Sequence, residues 1–446
     1  MADSCLQARF RDAVLDNADQ ALTNAMVTVD VQRAEAFVPA DRDKIHAAVE
    51  ALDGGFEALN ITIKALLRSW ALDAARDLCT DRSIAGWTDD RVMVGSLYCN
   101  VGLILSSNGD HDAALGLLQK SLAIDVAVHG EGHEETAASL NNIGEVLRAK
   151  GDFNGALEYF NACLTIETAV HGEGDPSTAS THNNIGLVLQ AKGEHGAALE
   201  HLMTALAIKK ASVGEEHPRT AFAYNSVGAV LNAMGDQSGA IEVLTKALAI
   251  QKAVLGEVHP DTAVTYSNIG ATFQTQGNLD GALESHTKAL AIFKAVHGEG
   301  HLFTAGAHNN IGFVLQAKGE HGAALEHLTK ALAIQKAVLG EAHPDTAATY
   351  GNIGATFQAQ GNLDGALESH TKALAIFKAV HGEGHLFTAN AHFNIGTVLQ
   401  VKEDYDGALE SLGKALAILT DVLGDDHPNT ATVRSNMEGV SAAKRH

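Results

Sequence analysis

The sequence predicts an all-α solenoid, a fold in which copies of one helical hairpin stack side by side. An Asn-Ile-Gly core recurs from Asn142 to Asn394 every 42 residues, with Ser226 in the one place where the asparagine is missing. Weaker copies at Asn100 and Asn436 keep this spacing without insertion or deletion. Between cores, apolar residues follow helical periodicity in two stretches separated by glycine. Because one hairpin cannot bury its own apolar faces, neighbouring copies must stack.

Composition and charge agree with this class and exclude others. An apolar fraction of 46% in 446 residues excludes wholesale disorder, while six prolines, 43 glycines and 5% aromatic residues are atypical of a layered α/β enzyme. The chain carries 31 basic and 54 acidic residues, a formal charge of −23. This charge argues against nucleic-acid binding and against adhesion to anionic lipid.

The sequence also predicts a cytoplasmic location. No apolar run approaches the ~20 residues that span a bilayer, so we expect no membrane insertion. The N-terminus lacks the apolar segment of a secretory signal. Four separated cysteines without a CxxC pair are typical of a reducing compartment. A cytoplasmic protein of this kind could also associate with the cytoskeleton.

One repeat, His259 to Gly300, shows how each hairpin is built. Pro260 starts its first helix, and a side-chain oxygen of Asp261 or Thr262 is expected to cap it. Gly277 suits the left-handed residue that ends this helix.

The second helix of this repeat follows at once. Asn278 is its expected cap and Gly298 its end. Ala282 and Ala289 lie on its apolar side, where their small size lets the two helices approach closely.

These residues resemble a known family. Relative to Gly270, the small residues fall where tetratricopeptide (TPR) repeats place theirs, and the segments NNIG, ALAI and LGE-x-HPDTA resemble the TPR array of kinesin light chains. The resemblance covers residues 91–446, although this unit is longer than the usual 34-residue repeat. It implies a right-handed superhelix whose first helices line a concave groove that binds ligands.

The period divides the chain into three regions. Residues 1–90 do not keep the period and form an N-terminal helical region of unknown role, with helices predicted over 41–52 and 55–79. Residues 427–446 supply a C-terminal capping helix and tail. Between them we place eight repeats, at 91–132, 133–174, 175–216, 217–258, 259–300, 301–342, 343–384 and 385–426.

The N-terminal region bears on one partner that the resemblance implies. Kinesin light chains are expected to bind the kinesin heavy chain through a long N-terminal heptad segment. Residues 1–90 contain no sustained heptad, which argues against heavy-chain binding.

Carboxamide side chains recur on the first helices and are the candidate peptide-binding residues. With the helix glycine at position 8, the groove is expected to use positions 2, 5, 6, 9, 12 and 13, and the carboxamides fall at positions 5, 6 and 12. Position 6 gives Asn100, Asn142, Asn184, Asn268, Asn310, Asn352 and Asn394; position 5 gives Asn141, Asn183, Asn225 and Asn309; position 12 gives Arg148, Gln190, Asn232, Gln274, Gln316, Gln358 and Gln400.

A carboxamide both donates and accepts hydrogen bonds, so a row of them suits the backbone of an extended peptide. In the resembled family the equivalent asparagines are expected to do this. Asparagines that bond neighbouring helices, or that duplication simply copied, are the alternative.

Charge along the first helices predicts the character of the peptide. Over positions 1–14 of these helices, Glu145 is the one acid, against the basic residues Arg148, Lys150, Lys192, Lys318 and Lys402. A slightly basic lining would accept a neutral or acidic peptide, although a lysine near a helix end also complements the helix dipole.

The histidine pattern gives little support to a catalytic or metal-binding site. The histidines of the HGEGH loops, such as His129 and His133, lie in glycine-containing loops and are expected to pack or cap. His286 and His370 replace a large apolar residue and are expected to be satisfied interface histidines.

We therefore predict a non-enzymatic adaptor without cofactor or metal that binds a partner protein. A structural spacer or oligomer-forming solenoid is the alternative, and a metal-dependent hydrolase using the HGEGH loops is a remote one.

Overall fold

A computed structural model describes residues 91–107 and 109–445. These residues form helices joined by short loops and contain no strand. The helices predicted over 41–52 and 55–79, and the whole of 1–90, lie outside the described residues. The described part of the chain contains α1 (Arg91–Ser107), α2 (His111–His129), α3 (Glu134–Lys150), α4 (Phe153–His171), α5 (Pro176–Ala191), α6 (His195–Val213), α7 (Pro218–Ala233), α8 (Gln237–Val254), α9 (Pro260–Thr275), α10 (Leu279–His297), α11 (Leu302–Ala317), α12 (His321–Val338), α13 (Pro344–Ala359), α14 (Leu363–His381), α15 (Leu386–Val401), α16 (Tyr405–Leu423) and α17 (Pro428–Ala443).

The chain divides into two compact units between Asn268 and Ile269, within α9. In the first unit α1/α2, α3/α4, α5/α6 and α7/α8 pair as hairpins, and the first helices α1, α3, α5 and α7 contact one another in order. In the second unit α11/α12, α13/α14 and α15/α16 pair in the same way, and α11, α13 and α15 are in contact in order. Each unit is therefore a stack of hairpins, as the tetratricopeptide solenoid predicts.

Small residues set the distance between the two helices of a hairpin. A Cβ atom at Gly186 of α5 would lie 2.6 Å from Cγ of Leu202 on α6, so only glycine fits against this buried leucine. Ala282 and Ala289 of α10 are completely buried, which confirms the close approach that the sequence predicts.

The ends of α9 and α10 also follow the prediction. Gly277 has a φ of 76°, in the left-handed region that glycine favours. The Asn278 side chain accepts a hydrogen bond at 3.0 Å from the backbone N–H of Gly281, and Gly298 follows the last residue of α10.

The start of the first helix differs from the prediction. Neither Asp261 nor Thr262 caps α9; Nδ1 of His259 accepts the hydrogen bond from the Asp261 backbone N–H at 3.2 Å. The Thr262 hydroxyl donates instead to the carbonyl of Gly256 in the preceding loop, at 3.1 Å. The same histidine cap starts α3, α7, α11, α13, α15 and α17, at His133, His217, His301, His343, His385 and His427.

The last helix covers the apolar surface of the hairpin before it. Val433 and Val440 of α17 are buried in one cluster with Leu412 and Leu419 of α16. This burial removes apolar surface from water.

Candidate functional site

Two of the candidate asparagines at position 6 join the first helices of adjacent repeats. Nδ2 of Asn184 on α5 donates to Oδ1 of Asn141 on α3 at 2.9 Å. One repeat earlier, Nδ2 of Asn142 donates to Sγ of Cys99 on α1 at 3.3 Å. Here the repeated carboxamide connects helices, as the alternative interpretation of the sequence expects.

Two of the asparagines at position 5 bond the first helix of the next repeat in a similar way. Nδ2 of Asn225 donates to Oγ1 of Thr265 at 2.7 Å, and Nδ2 of Asn309 donates to Oγ1 of Thr349 at 2.9 Å. Asn183 and Asn225 are buried, with less than a tenth of their surface exposed. Position 5 therefore contributes mainly to packing in these repeats.

A second group of carboxamides has no partner inside the described chain. These side chains are half-buried, apart from the exposed Asn310, and their amides make no hydrogen bond to residues 91–107 or 109–445. The group comprises Asn310, Asn352, Asn394, Gln190, Gln274, Gln316, Gln358 and Gln400; Asn100, Asn232 and Asn268 do not belong to it.

This second group is concentrated in the second unit, where Asn310 and Gln316 lie on α11, Asn352 on α13 and Asn394 on α15. Because α11, α13 and α15 contact one another in order, their unpaired amides form a row along one unit. We call this row, at positions 6 and 12 of α11, α13 and α15, the amide row. It holds Asn310, Gln316, Asn352, Gln358, Asn394 and Gln400.

The predicted basic lining is wrong, because the five cations at positions 1–14 of the first helices all have acidic partners. Lys150 Nζ lies 2.6 Å from Asp112, and Lys318 Nζ lies 2.8 Å from Asp280. Lys402 pairs with Asp364, Lys192 with Glu194, and Arg148 with Glu145. The partners of Lys150, Lys318 and Lys402 stand 38 residues earlier, on the preceding second helix. A charge count that includes only the first helices therefore leaves out these acidic partners.

The loop histidines cap and stack, as the sequence predicts. The rings of His129 and His133 stack with centroids 4.7 Å apart, while His133 Nδ1 caps α3. His297 and His301 repeat this geometry at 4.4 Å. Within the described residues no group of three or more His, Cys, Asp or Glu side chains is placed to hold a metal ion.

His286 and His370 are buried in the interface between two helices, but they are not satisfied. Neither ring nitrogen of His370, nor Nδ1 of His286, has a hydrogen-bond partner among the described residues. Burial lowers the pKa of both rings to about 4, so both are neutral at pH 7. The expectation of satisfied histidines is wrong for these nitrogens, because each ring packs closely against a glycine, Gly270 or Gly354, and no described group bonds them.

Two histidine pairs were not singled out from the sequence. Nδ1 of His182 lies 2.9 Å from Nδ1 of His201, and His308 and His327 have the same separation. One ring of each pair must donate while the other accepts, so at least one histidine of each pair is neutral. The sequence contains a pattern that could have revealed them, because the two histidines of each pair are 19 residues apart and stand at equivalent positions of their repeats.

The two cysteines of the described residues, Cys99 and Cys163, behave as packing residues. Cys163 is completely buried, and burial raises the pKa of its thiol to about 12. Cys99 is half-buried, and burial raises its thiol pKa as well. Neither is an activated nucleophile, which requires a lowered pKa.

Across the described helices, none is both long enough and apolar enough to cross a membrane.

The sequence profile of one repeat family matches almost the entire described chain. The tetratricopeptide repeat profile matches residues 93–169, 177–253, 239–295, 261–337, 303–379, 345–421 and 387–442. No curated protein matches the chain in sequence.

Several solved structures are similar to parts of the chain at low identity. BtubC (BKLC) from P. vanneervenii is 21% identical, with 53% of this chain and 92% of that chain covered and a TM-score of 0.41. The nearly identical TPR-like repeats of a kinesin light chain candidate from Podosopora anserina are 22% identical, covering 47% and 98%, with a TM-score of 0.40. The apo form of RapI is 17% identical, covering 64% and 98%, with a TM-score of 0.48.

The profile match spans far more than half of the chain and coincides with the stacked hairpins of both units. The chain therefore belongs to the tetratricopeptide repeat family.

Proposed function

We propose that this protein is a non-enzymatic adaptor that binds an extended segment of a partner protein along the amide row of its second unit. The observation that carries the proposal is the contrast between two sets of equivalent asparagines. Asn142 and Asn184 bond neighbouring helices in the first unit, whereas Asn310, Asn352 and Asn394 keep unpaired amides in the second.

The amides would hold the peptide by its backbone. An extended chain presents N–H and C=O groups along its length, and each carboxamide has a donor and an acceptor for them. One such bond contributes about 0.5–1.5 kcal/mol, so useful affinity requires several. The amide row supplies six side chains on three adjacent helices.

An apolar side chain lies among these amides. Phe313 is 47% exposed on α11, three residues from Asn310 and three from Gln316. Residues three apart share one face of a helix, so a peptide bound to both amides would cover this ring. Phe313 therefore offers a contact that selects an apolar side chain of the partner.

The charges around the row favour a neutral peptide segment. Lys318 and Lys402, at the ends of α11 and α15, already pair with Asp280 and Asp364. An acidic peptide would have to compete with these carboxylates. We therefore narrow the expected ligand to a neutral extended segment with an apolar residue.

The test begins with peptides selected from a random display library against the wild-type chain. Their affinity is then measured by fluorescence anisotropy for the wild type and for Asn310→Ala/Asn352→Ala/Asn394→Ala. Loss of three backbone bonds should weaken binding by at least about tenfold, since 1.4 kcal/mol corresponds to a factor of ten. Circular dichroism should show unchanged helicity.

A matched triple variant serves as the control. Thr245→Ala/Thr287→Ala/Thr371→Ala removes three exposed hydroxyls from second helices, where each bonds its own helix backbone. This variant should bind the peptides as the wild type does. Equal affinity of the asparagine variant and the control would overturn the proposal.

A further inference from the structure

A cleft in the first unit lies beside the starts of α5 and α7. Its walls are formed by Pro176, Ser177, Ser180, Lys209, Arg219 and Phe222. Lys209, near the end of α6, is 9% exposed, and its Nζ donates to the carbonyl of Pro176 at 2.6 Å and to Oγ of Ser180 at 3.2 Å. Both acceptors are neutral, so they leave the charge of Lys209 uncompensated.

This lack of a counter-ion sets Lys209 apart. Of the seventeen lysines in residues 91–107 and 109–445, fifteen have a carboxylate oxygen within 4.0 Å. The exceptions are Lys209 and Lys120, and Lys120 lies over the ring of Tyr98. A buried charge without a counter-ion is unfavourable, so an anionic ligand would relieve the cost of burying Lys209.

The two acids that act on Lys209, Glu167 and Asp175, accept hydrogen bonds from other groups. Glu167 accepts a hydrogen bond from Thr181 at 2.7 Å. Asp175 accepts from both the backbone N–H and the hydroxyl of Ser177, at 2.8 and 2.7 Å. Burial and the charge of Arg219 lower the pKa of Lys209 despite these two carboxylates. Asp175 and Glu167 therefore attract Lys209 through space, but neither forms an ion pair with it.

The two cations occur together only at this place among the equivalent positions of the described repeats. The position of Lys209 holds Asp125, Glu167, Gln251, Phe293, Gln335, Phe377 and Leu419 elsewhere. The position of Arg219 holds Glu135, Ser177, Asp261, Phe303, Asp345, Phe387 and Asn429 elsewhere. Although the chain has a formal charge of −23, two basic side chains, one of them buried, line this one cleft.

We infer that this cleft binds a phosphate group through Lys209 and Arg219. The guanidinium of Arg219 makes no hydrogen bond within the described residues and can contact two phosphate oxygens at once. Lys209 supplies a fixed charge from the floor of the cleft. Phe222, 58% exposed at its edge, offers an apolar surface to whatever carries the phosphate. The carrier is either a phosphorylated side chain of a partner or free phosphate.

Isothermal titration calorimetry of the full chain with two probes tests this inference. Inorganic phosphate represents the free anion, and phenyl phosphate represents a phosphate monoester with an apolar carrier. The first variant, Lys209→Gln/Ala223→Thr, installs the pair that Gln251 and Thr265 form one repeat later, where their side chains bond at 2.5 Å. The second, Arg219→Asp, installs the residue found at position 261.

Both variants should bind the better probe at least tenfold more weakly than the wild type. Lys246→Gln, which removes an exposed lysine paired with Glu242, is the charge-matched control and should bind normally. Tighter binding of phenyl phosphate identifies an organic carrier, and equal binding identifies free phosphate; either supports the site. Absence of binding to the wild type, or unchanged binding in both variants, would overturn the inference. None of these outcomes bears on the amide row, which lies in the other unit.

Discussion

The imidazole ring of His370 lies directly against Gly354: a Cβ atom at this glycine would stand 2.7 Å from Cε1 of the ring. In other hairpins a leucine occupies the same place, as Leu202 does against Gly186. The ring is 1% exposed, and both of its nitrogens lack partners among the described residues. The contact therefore combines close packing with an unsatisfied polar group.

Replacing this histidine by leucine should stabilise the protein. His370→Leu removes two unsatisfied nitrogens and keeps a side chain that five other repeats use at this position, so the free energy of unfolding should rise by about 1–3 kcal/mol. Gly354→Ala should lower it by about 1–3 kcal/mol, because the new methyl group collides with the ring. Urea unfolding at pH 7 measures both, and a destabilised His370→Leu would contradict the packing described here.

Stability should fall on acidification. His286 and His370 have a pKa of about 4 when folded, against about 6.5 when unfolded. Between these values the unfolded chain binds more protons, so the stabilising contribution is complete above pH 6.5 and is lost toward pH 4. Each histidine contributes up to about 3 kcal/mol to this loss.

The measurement is the unfolding midpoint at pH 7 and pH 5. The His286→Leu/His370→Leu variant should lose less stability over this interval than the wild type. A parallel decline in both proteins would show that other groups are responsible, such as the His308–His327 pair, whose pKa values burial also lowers.

The histidine caps can be tested separately. Nδ1 of His217 accepts the Arg219 backbone N–H at 3.1 Å, and Asp175 does the same for Ser177 at the start of α5. His217→Ala should cost about 1 kcal/mol of stability, as loss of a helix cap does. His217→Asp should retain the stability, because a carboxylate replaces the acceptor. Thermal unfolding compares the two, and equal loss in both would exclude a capping role.

Asparagines at position 6 should separate into two classes. Asn184→Ala removes the bond to Asn141 and leaves its amide oxygen unpaired, so it should cost about 0.5–1.5 kcal/mol. Asn352→Ala, in which no such bond is lost, should change stability by less than about 0.5 kcal/mol. Chemical unfolding of the two variants gives the comparison. Similar losses would mean that Asn352 also has a structural role.

The fold can be predicted from the sequence because the residues that define each hairpin recur with one period. The spacing of Asn142, Gly144 and the later copies places every helix pair, and the glycines that end helices follow from backbone geometry. The cap at His259 was missed because its acceptor is a ring nitrogen, whereas the sequence rules favour oxygen caps at Asp261 or Thr262. Repeat similarity therefore predicts the hairpin better than its local hydrogen bonds.

The candidate site was predicted less completely for a different reason. Asn184 and Asn352 have the same repeat position, so no repeat pattern distinguishes the bonded amide from the unpaired one. The difference depends on the neighbouring repeat, where Asn141 supplies an acceptor and Asn309 bonds Thr349 instead. The pairing of Lys318 with Asp280, 38 residues away, likewise becomes evident only once helices are placed side by side.

The most direct test of the proposed function is NMR spectroscopy of side-chain amides. The full chain, labelled with ¹⁵N in asparagine, is titrated with a display-selected peptide, and the NH₂ signals are assigned from single Asn→Ala variants. We expect saturable shifts of the Asn310, Asn352 and Asn394 signals, while those of Asn184 and Asn225 stay in place. Shifts confined to the first unit, or none at the three amides of the second unit when the peptide is bound, would contradict it.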